Sequence, residues 1–187
     1  MQLRSLTIGG LYEIVPKRFE DSRGYFSEIF RQGWFKDSVA DVDLVQENQS
    51  LSVAKGVIRG LHYQRAPMGQ GKLVRCLSGS IFDVAVDIRA GSPTYGTWEA
   101  VTLSAEAGNQ LWIPEGFLHG FCTLEANSVV CYKVTNYYSG EHDAGVAWND
   151  PDIGIAWPAA ADASSLSKKD TEQPRLADLP AQFHYTE

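Results

Sequence analysis

The chain has 187 residues, 44% hydrophobic and 21% charged, with a formal net charge of −7. That length suits one domain, and the apolar fraction is enough to bury a core and argues against a disordered chain. The acidic balance argues against nucleic-acid binding, since phosphate backbones need clustered Lys and Arg. It still leaves room for a small phosphorylated ligand in a local basic pocket.

In chain order, MQLRSLTIGG at the N-terminus lacks the apolar run of a signal peptide. No later stretch reaches the ~18 apolar residues of a membrane helix, so a soluble, cytoplasmic protein is expected. RQGWFKDSV (31–39) predicts one short helix and SAEAG (104–108) a turn. Strand signals dominate the middle. KLVRCLSGSIFDVAVDIR (72–89) reads as a hairpin turning at Ser78-Gly79. In its second run Phe82, Val84, Val86 and Ile88 share one face. Ile81, Asp83, Ala85 and Asp87 share the other, which is polar enough to line a site.

WEAVTLSA, NQLWIP, GFCTLEANSVVCYKV and GVAWND continue the strand pattern. Turn signals recur at Gly69-Gln70-Gly71, Gly91-Ser92-Pro93, Pro114-Glu115-Gly116 and Ser139-Gly140. Many short strands with regular turns predict an all-β fold, a sandwich or jelly roll. From Ala159 onward the composition predicts peripheral loop and short helices. Cys76, Cys122 and Cys131 form no CxxC pair and lie in apolar strand contexts, so buried free thiols are expected.

Two stretches carry chemistry. RGLHYQ (59–64) holds His62, and IPEGFLHGF (113–121) holds His119 behind a Pro-x-Gly turn. In metal-binding cupins such a turn motif pairs with an earlier H-x-H and an acid. Here Gln64 stands where the second histidine would be, which leaves two candidate ligands where a metal normally wants three. No metal is therefore expected. His62 is then either a general base or a polar residue packed in a sheet, and a base needs a carboxylate to fix its tautomer. Asp170 in SLSKKD is available. Arg59 lies three residues from His62, on the opposite face of a regular strand, so a bend at Gly60 must re-aim one of them. Lys72 enters a strand from a turn, and Tyr132 alternates with Cys131 and Lys133. A base, a weak acid and a cation can move protons beside a carbonyl. Singly, Tyr132 reads as core and Lys72 as solvated.

The ordered series FEDSRGYFSEIF (19–30), VQENQS (45–50), VIRGLHYQ (57–64), QGKLVRCLSG (70–79), FDVAVDIRAGSPTYG (82–96), QLWIPEGFLHGF (110–121), YKVTNYYS (132–139), WNDPDIGIAW (148–157) and LSKKD (166–170) resembles the dTDP-4-dehydrorhamnose 3,5-epimerases from about residue 5 to about residue 172. The resemblance implies a single cupin-like jelly-roll domain over 1–187 and a homodimer whose N-terminal strands cross to the partner. It implies no metal and no organic cofactor. It also implies His62 as general base with Asp170 as its partner, Tyr132 as proton donor, and Lys72 as stabiliser of an enolate at O4. Arg23, Glu28, Gln46, Asn48, Arg59, His119 and Lys169 would contact a dTDP-sugar. Tyr138 would stack near the sugar or base, stacking on Tyr138 or on Phe26 would suit a thymine ring, and Glu47 would contribute through its backbone at most. Asp143 stands where many members carry Glu, which puts that contact in doubt. The rival readings are a 3-epimerase, a metal-dependent cupin, and a sugar-nucleotide-binding module without turnover.

Overall fold

The computed structural model describes residues 1–186. Fifteen strands and two short helices follow in the order β1 (Gln2–Ser5), β2 (Tyr12–Val15), β3 (Phe19–Asp21), β4 (Gly24–Phe26), α1 (Gln32–Ser38), β5 (Gln46–Ser52), β6 (Ile58–Gln64), β7 (Lys72–Ser78) and β8 (Ser80–Asp87). They continue with β9 (Arg89–Ala90), β10 (Trp98–Ser104), β11 (Gln110–Ile113), β12 (Phe117–Thr123), β13 (Ser128–Val134), β14 (Asp143–Gly145), α2 (Lys168–Thr171) and β15 (Phe183–His184). The helix expected over 31–39 forms as α1, and residues 105–108 form the expected turn. Of GVAWND only Gly145 lies in a strand.

Two antiparallel sheets make the jelly roll. One has six strands in the order β1-β2-β11-β7-β13-β5, the other five in the order β10-β8-β12-β6-β14. Their inner faces share one core. Val74, Cys76, Leu111, Ile113 and Val130 come from the first sheet; Ile81, Ala85, Leu103, Phe117 and Phe121 come from the second. The period-2 alternation of these strands places such residues inward and their neighbours outward. On the outer face of the six-stranded sheet, Phe35 of α1 packs edge-on against Trp112, with ring centroids 5.0 Å apart. On the outer face of the five-stranded sheet, Val84, Val86 and Ile88 pack against Ile153, Trp157 and Leu176 from the C-terminal third.

The expected hairpin at Ser78-Gly79 does not form. β7 pairs with β11 and β13, and β8 pairs with β10 and β12, so Gly79 carries the chain from one sheet to the other. A tight turn between two strand-like runs has the same local signature whether the strands pair or part. The polar face of β8 turns inward, which sets Asp83 between the sheets.

The C-terminal segment is tied down along its length. Ile58 N–H donates to Ser165 Oγ, Ala147 N–H to Pro174 O, and Leu176 N–H to Asp150 Oδ2. β15 then pairs in parallel with β9, so the tail is more than the loop and short helices expected. These ties hold α2 beside β6, where Asp170 meets His62. All three cysteines are free and buried. Among the described residues no helix is long and apolar enough to cross a membrane.

Candidate active site

A cleft of about 240 Å³ opens between the sheets, lined among others by Arg59, His62, Lys72, His119, Tyr132 and Asp170. It runs into a second hollow of about 200 Å³ that shares His62, Lys72, Tyr132 and Lys169 and adds Asn48, Tyr138 and Asp143. Strand β6 supplies His62 and Arg59 to the same cleft because it bulges. Against β12 the register runs His119 to His62 and then Phe121 to Arg59, two steps opposite three. Such a bulge shifts the side-chain alternation by one. Gly60, at φ +127°, sits at the bulge, and a Cβ there would lie 2.6 Å from Gly120 Cα. Only glycine suits both the conformation and the approach.

His62 Nε2 lies 2.5 Å from Asp170 Oδ1. Burial pushes the Asp170 carboxyl up, but the His62 and Ser167 hydrogen bonds with the His62 and Lys169 charges bring it below its ordinary value. An ionised carboxylate only accepts, so His62 holds its proton on Nε2 and leaves Nδ1 basic. Ser167 caps α2 by accepting from Asp170 N–H, which fixes the carboxylate's place.

On the opposite wall, the six-stranded sheet presents Tyr132 and Lys72 on its inner face. Burial holds the Tyr132 hydroxyl above its usual range, against the pull of the Arg59 charge. Lys72 is buried, and its ammonium donates to His62 O at 3.4 Å. Burial pushes Lys72 down to about 8, while Asp83 and Asp143 favour its charged form and Lys169 opposes it.

Behind these residues lies a second histidine–carboxylate pair. His119 Nε2 is 2.7 Å from Asp83 Oδ1, both residues are buried, and Asp83 Oδ2 has no hydrogen-bond partner. Burial lowers His119, outweighing the opposing pull of Asp83. A neutral His119 donating to Asp83 keeps Nδ1 as an acceptor. Asp83 was absent from the expected site residues. Its sequence signal was the lone acid between Ile81 and Ala85 on the core-facing side of β8.

At the cleft mouth, Gln46 Oε1 accepts from Tyr138 N–H at 3.0 Å, and Gln46 Nε2 donates to Asn48 Oδ1 at 2.8 Å. Asp143 Oδ2 accepts from the Tyr138 hydroxyl at 3.1 Å and from the Lys169 ammonium. Ser50, Phe121 and Ser167 also line the cleft and were not expected. Glu47 turns outward, because it alternates with Gln46 and Asn48 along β5. Its carboxylate binds Lys133 and Cys131 instead, so it brings no side chain to the cleft. Gln64, at the would-be metal position, donates to Met68 O and Tyr137 O and accepts from Ser139 N–H. Its carboxamide is fully used in holding loops. Arg23, Phe26 and Glu28 do not line this chain's cleft. Arg23 pairs with Asp21, Phe26 is 71% exposed, and Glu28 pairs with Arg31.

The sequence profile of dTDP-4-dehydrorhamnose 3,5-epimerase matches residues 5–178. An enzyme of that name from Sinorhizobium fredii is 56% identical over 185 residues, 99% of this chain and 94% of its own. The crystal structure of a dTDP-6-deoxy-D-glucose-3,5-epimerase from Legionella pneumophila in complex with dTDP-4-keto-L-rhamnose superposes with a TM-score of 0.93. It is 41% identical and covers 100% of this chain and 99% of its own. A 3'-monoepimerase from Streptomyces bikiniensis in complex with dTDP-quinovose gives 0.85 at 35% identity, over 92% of this chain and 86% of its own. The chain belongs to the dTDP-4-dehydrorhamnose 3,5-epimerase family.

Proposed function

We propose that this cleft converts dTDP-4-keto-6-deoxy-D-glucose to dTDP-4-keto-L-rhamnose by inverting C3 and C5. The observation that carries the residue roles is the placement of His62–Asp170 on one wall and Tyr132 on the other. Inversion at carbon requires a proton to leave one face and another to arrive at the opposite face. The C4 ketone acidifies the protons on C3 and C5. His62 Nδ1 takes one, and the electron pair moves into an enolate whose oxygen faces the Lys72 ammonium. Tyr132 returns a proton at C5 from the other side; His62 takes the C3 proton in turn, water reaching the opposite face returns one at C3, and bulk solvent resets both groups. His119 Nδ1 and Asn48 suit the sugar hydroxyls. Arg59 suits the diphosphate, since a guanidinium binds phosphate oxygens bidentately.

Arg23, Phe26 and Glu28 fit this reading through a second copy. Among the described residues the β3–β4 hairpin pairs with no other strand, and Phe19, Tyr25 and Phe26 are exposed on it. In a homodimer the hairpin crosses to the partner and brings Arg23 to the diphosphate of the partner's cleft.

The experiment is deuterium incorporation from D₂O into the 4-keto sugar, read by NMR. Exchange at C3 and C5 is the expected result. Exchange at C3 alone moves the protein to the 3-epimerases, a class that one structural relative represents. Tight dTDP binding with no exchange leaves a binding module.

A further inference from the structure

Asp143 has surroundings that give it a task beyond touching substrate. It begins β14, the three-residue edge strand paired with Gln64 and Tyr63 of β6. A single oxygen, Oδ2, receives both the Tyr138 hydroxyl and the Lys169 ammonium. Tyr138 sits on the loop between β13 and β14, with its ring 62% exposed. Lys169 sits on α2, next to the Asp170 that holds His62. The loop backbone is already anchored by Tyr138 N–H on Gln46 and Ser139 N–H on Gln64, which leaves the ring as the part still to be oriented.

We propose that Asp143 is a positioning residue that fixes the Tyr138 ring and the Lys169 ammonium at the cleft mouth, so that it sets affinity for the nucleotide end of the substrate and not the proton-transfer rate. The geometry supplies the reason. Tyr138 and Lys169 come from segments about thirty residues apart and touch Asp143 at the same atom. A tyrosine ring held by its hydroxyl loses less freedom when a base stacks on it. A lysine held by one of its three donors keeps two for a phosphate or a hydroxyl. Oδ2 is spent on these two partners. The Tyr138 hydroxyl responds to the same bond: donation to Asp143 raises its pKa above the ordinary tyrosine value.

The inference rests on the reading of the cleft as a dTDP-sugar site, and the test separates the two. Binding of dTDP, which lacks the reacting sugar, is measured by calorimetry for the wild type, D143N, D143E and Y138F. Steady-state rates are followed with a coupled reductase. Read at about pH 6, well below the Lys72 pKa of about 8 that Asp143 helps to sustain, the expected result is about a tenfold rise in the Kd for dTDP and in KM for D143N, as for loss of a charged hydrogen bond, with kcat little changed. D143E recovers most of the affinity, because the longer carboxylate still reaches both partners. In the D143N background Y138F costs less than it does alone, because the neutral amide oxygen accepts the hydroxyl's bond more weakly than the carboxylate does. A D143N enzyme with low kcat and unchanged KM places Asp143 on the reacting sugar and overturns the inference. So do fully additive D143N and Y138F losses, or a D143N protein that binds dTDP as the wild type does. Wild-type protein that binds no dTDP overturns the reading of the cleft itself.

Discussion

His62 and Asp170 are 108 positions apart in the chain, and their side chains meet at 2.5 Å. The contact requires β6 and the C-terminal helix α2 to be brought together, which the ties at Ile58–Ser165, Ala147–Pro174 and Leu176–Asp150 accomplish. Asp170→Asn keeps the shape of the pair but no longer dictates which His62 nitrogen is basic. Turnover should fall by about 10²–10⁴, the range for a disabled acid or base, with dTDP binding retained. The same residue bears on acid stability. Its folded-state pKa lies below the ordinary 3.8, so its ionised form contributes stability above that value, lost as pH falls through the lower one. The asparagine variant should lose this part of the acid limb in denaturation curves.

In the proposed mechanism Lys72 stabilises the enolate only while charged. Its pKa of about 8 means that kcat/KM should decline as pH rises through about 8. The groups around it are Asp83 on β8, Asp143 on β14 and Lys169 on α2, with His62 and His119 beside it. Asp83 is the largest influence favouring the ammonium. Asp83→Asn should therefore move the alkaline limb to lower pH. A limb that stays in place, with normal folding, would show that Asp83 does not sustain the Lys72 charge.

Tyr132 and His62 face each other across the cleft, so removing one hydroxyl should leave proton removal intact. Tyr132→Phe should lose deuterium incorporation at C5 more than at C3. Equal loss at both carbons would strip Tyr132 of its selective role.

Gly60 makes the bulge that brings Arg59 and His62 to one face. Gly60→Ala should destabilise the protein by about 1–3 kcal/mol, the usual cost of a side chain forced into such a backbone region. It should also lower activity by more than the stability loss explains. Gly33→Ala, in α1 with open space around it, is the control. Thermal melting and turnover of the two variants decide the matter.

Arg23 and His62 of one chain should serve different clefts. If the proposed homodimer holds, the Arg23→Ala and His62→Asn variants should each be nearly inactive. After unfolding and refolding together, random pairing gives hybrids with one intact cleft of two, hence about a quarter of wild-type activity. A mixture no more active than its parents would be evidence that Arg23 acts within its own chain or not at all.

Much of this was legible in the residues themselves. Alternation of apolar and polar positions defined the strands, because a strand's side chains alternate faces whatever it pairs with. The Pro114-Glu115-Gly116 turn and the return of His119 into β12 were equally local. Ordered motifs also marked His62, Lys72, Tyr132 and Asp170 as a set, and the structure brings all four to one cleft. Which strands pair was decided only in three dimensions. The Ser78-Gly79 turn could have closed a hairpin, but the sheet assignment came from the partners that β7 and β8 found elsewhere. The face that carries Asp83 read as polar enough to line a site, but only the packing of two sheets shows that Asp83 itself is buried beside His119. The double use of Asp143 likewise depends on α2 folding back over β14. Local patterns follow from backbone periodicity and turn chemistry, whereas side-chain encounters between distant segments follow from how the sheets close on one another.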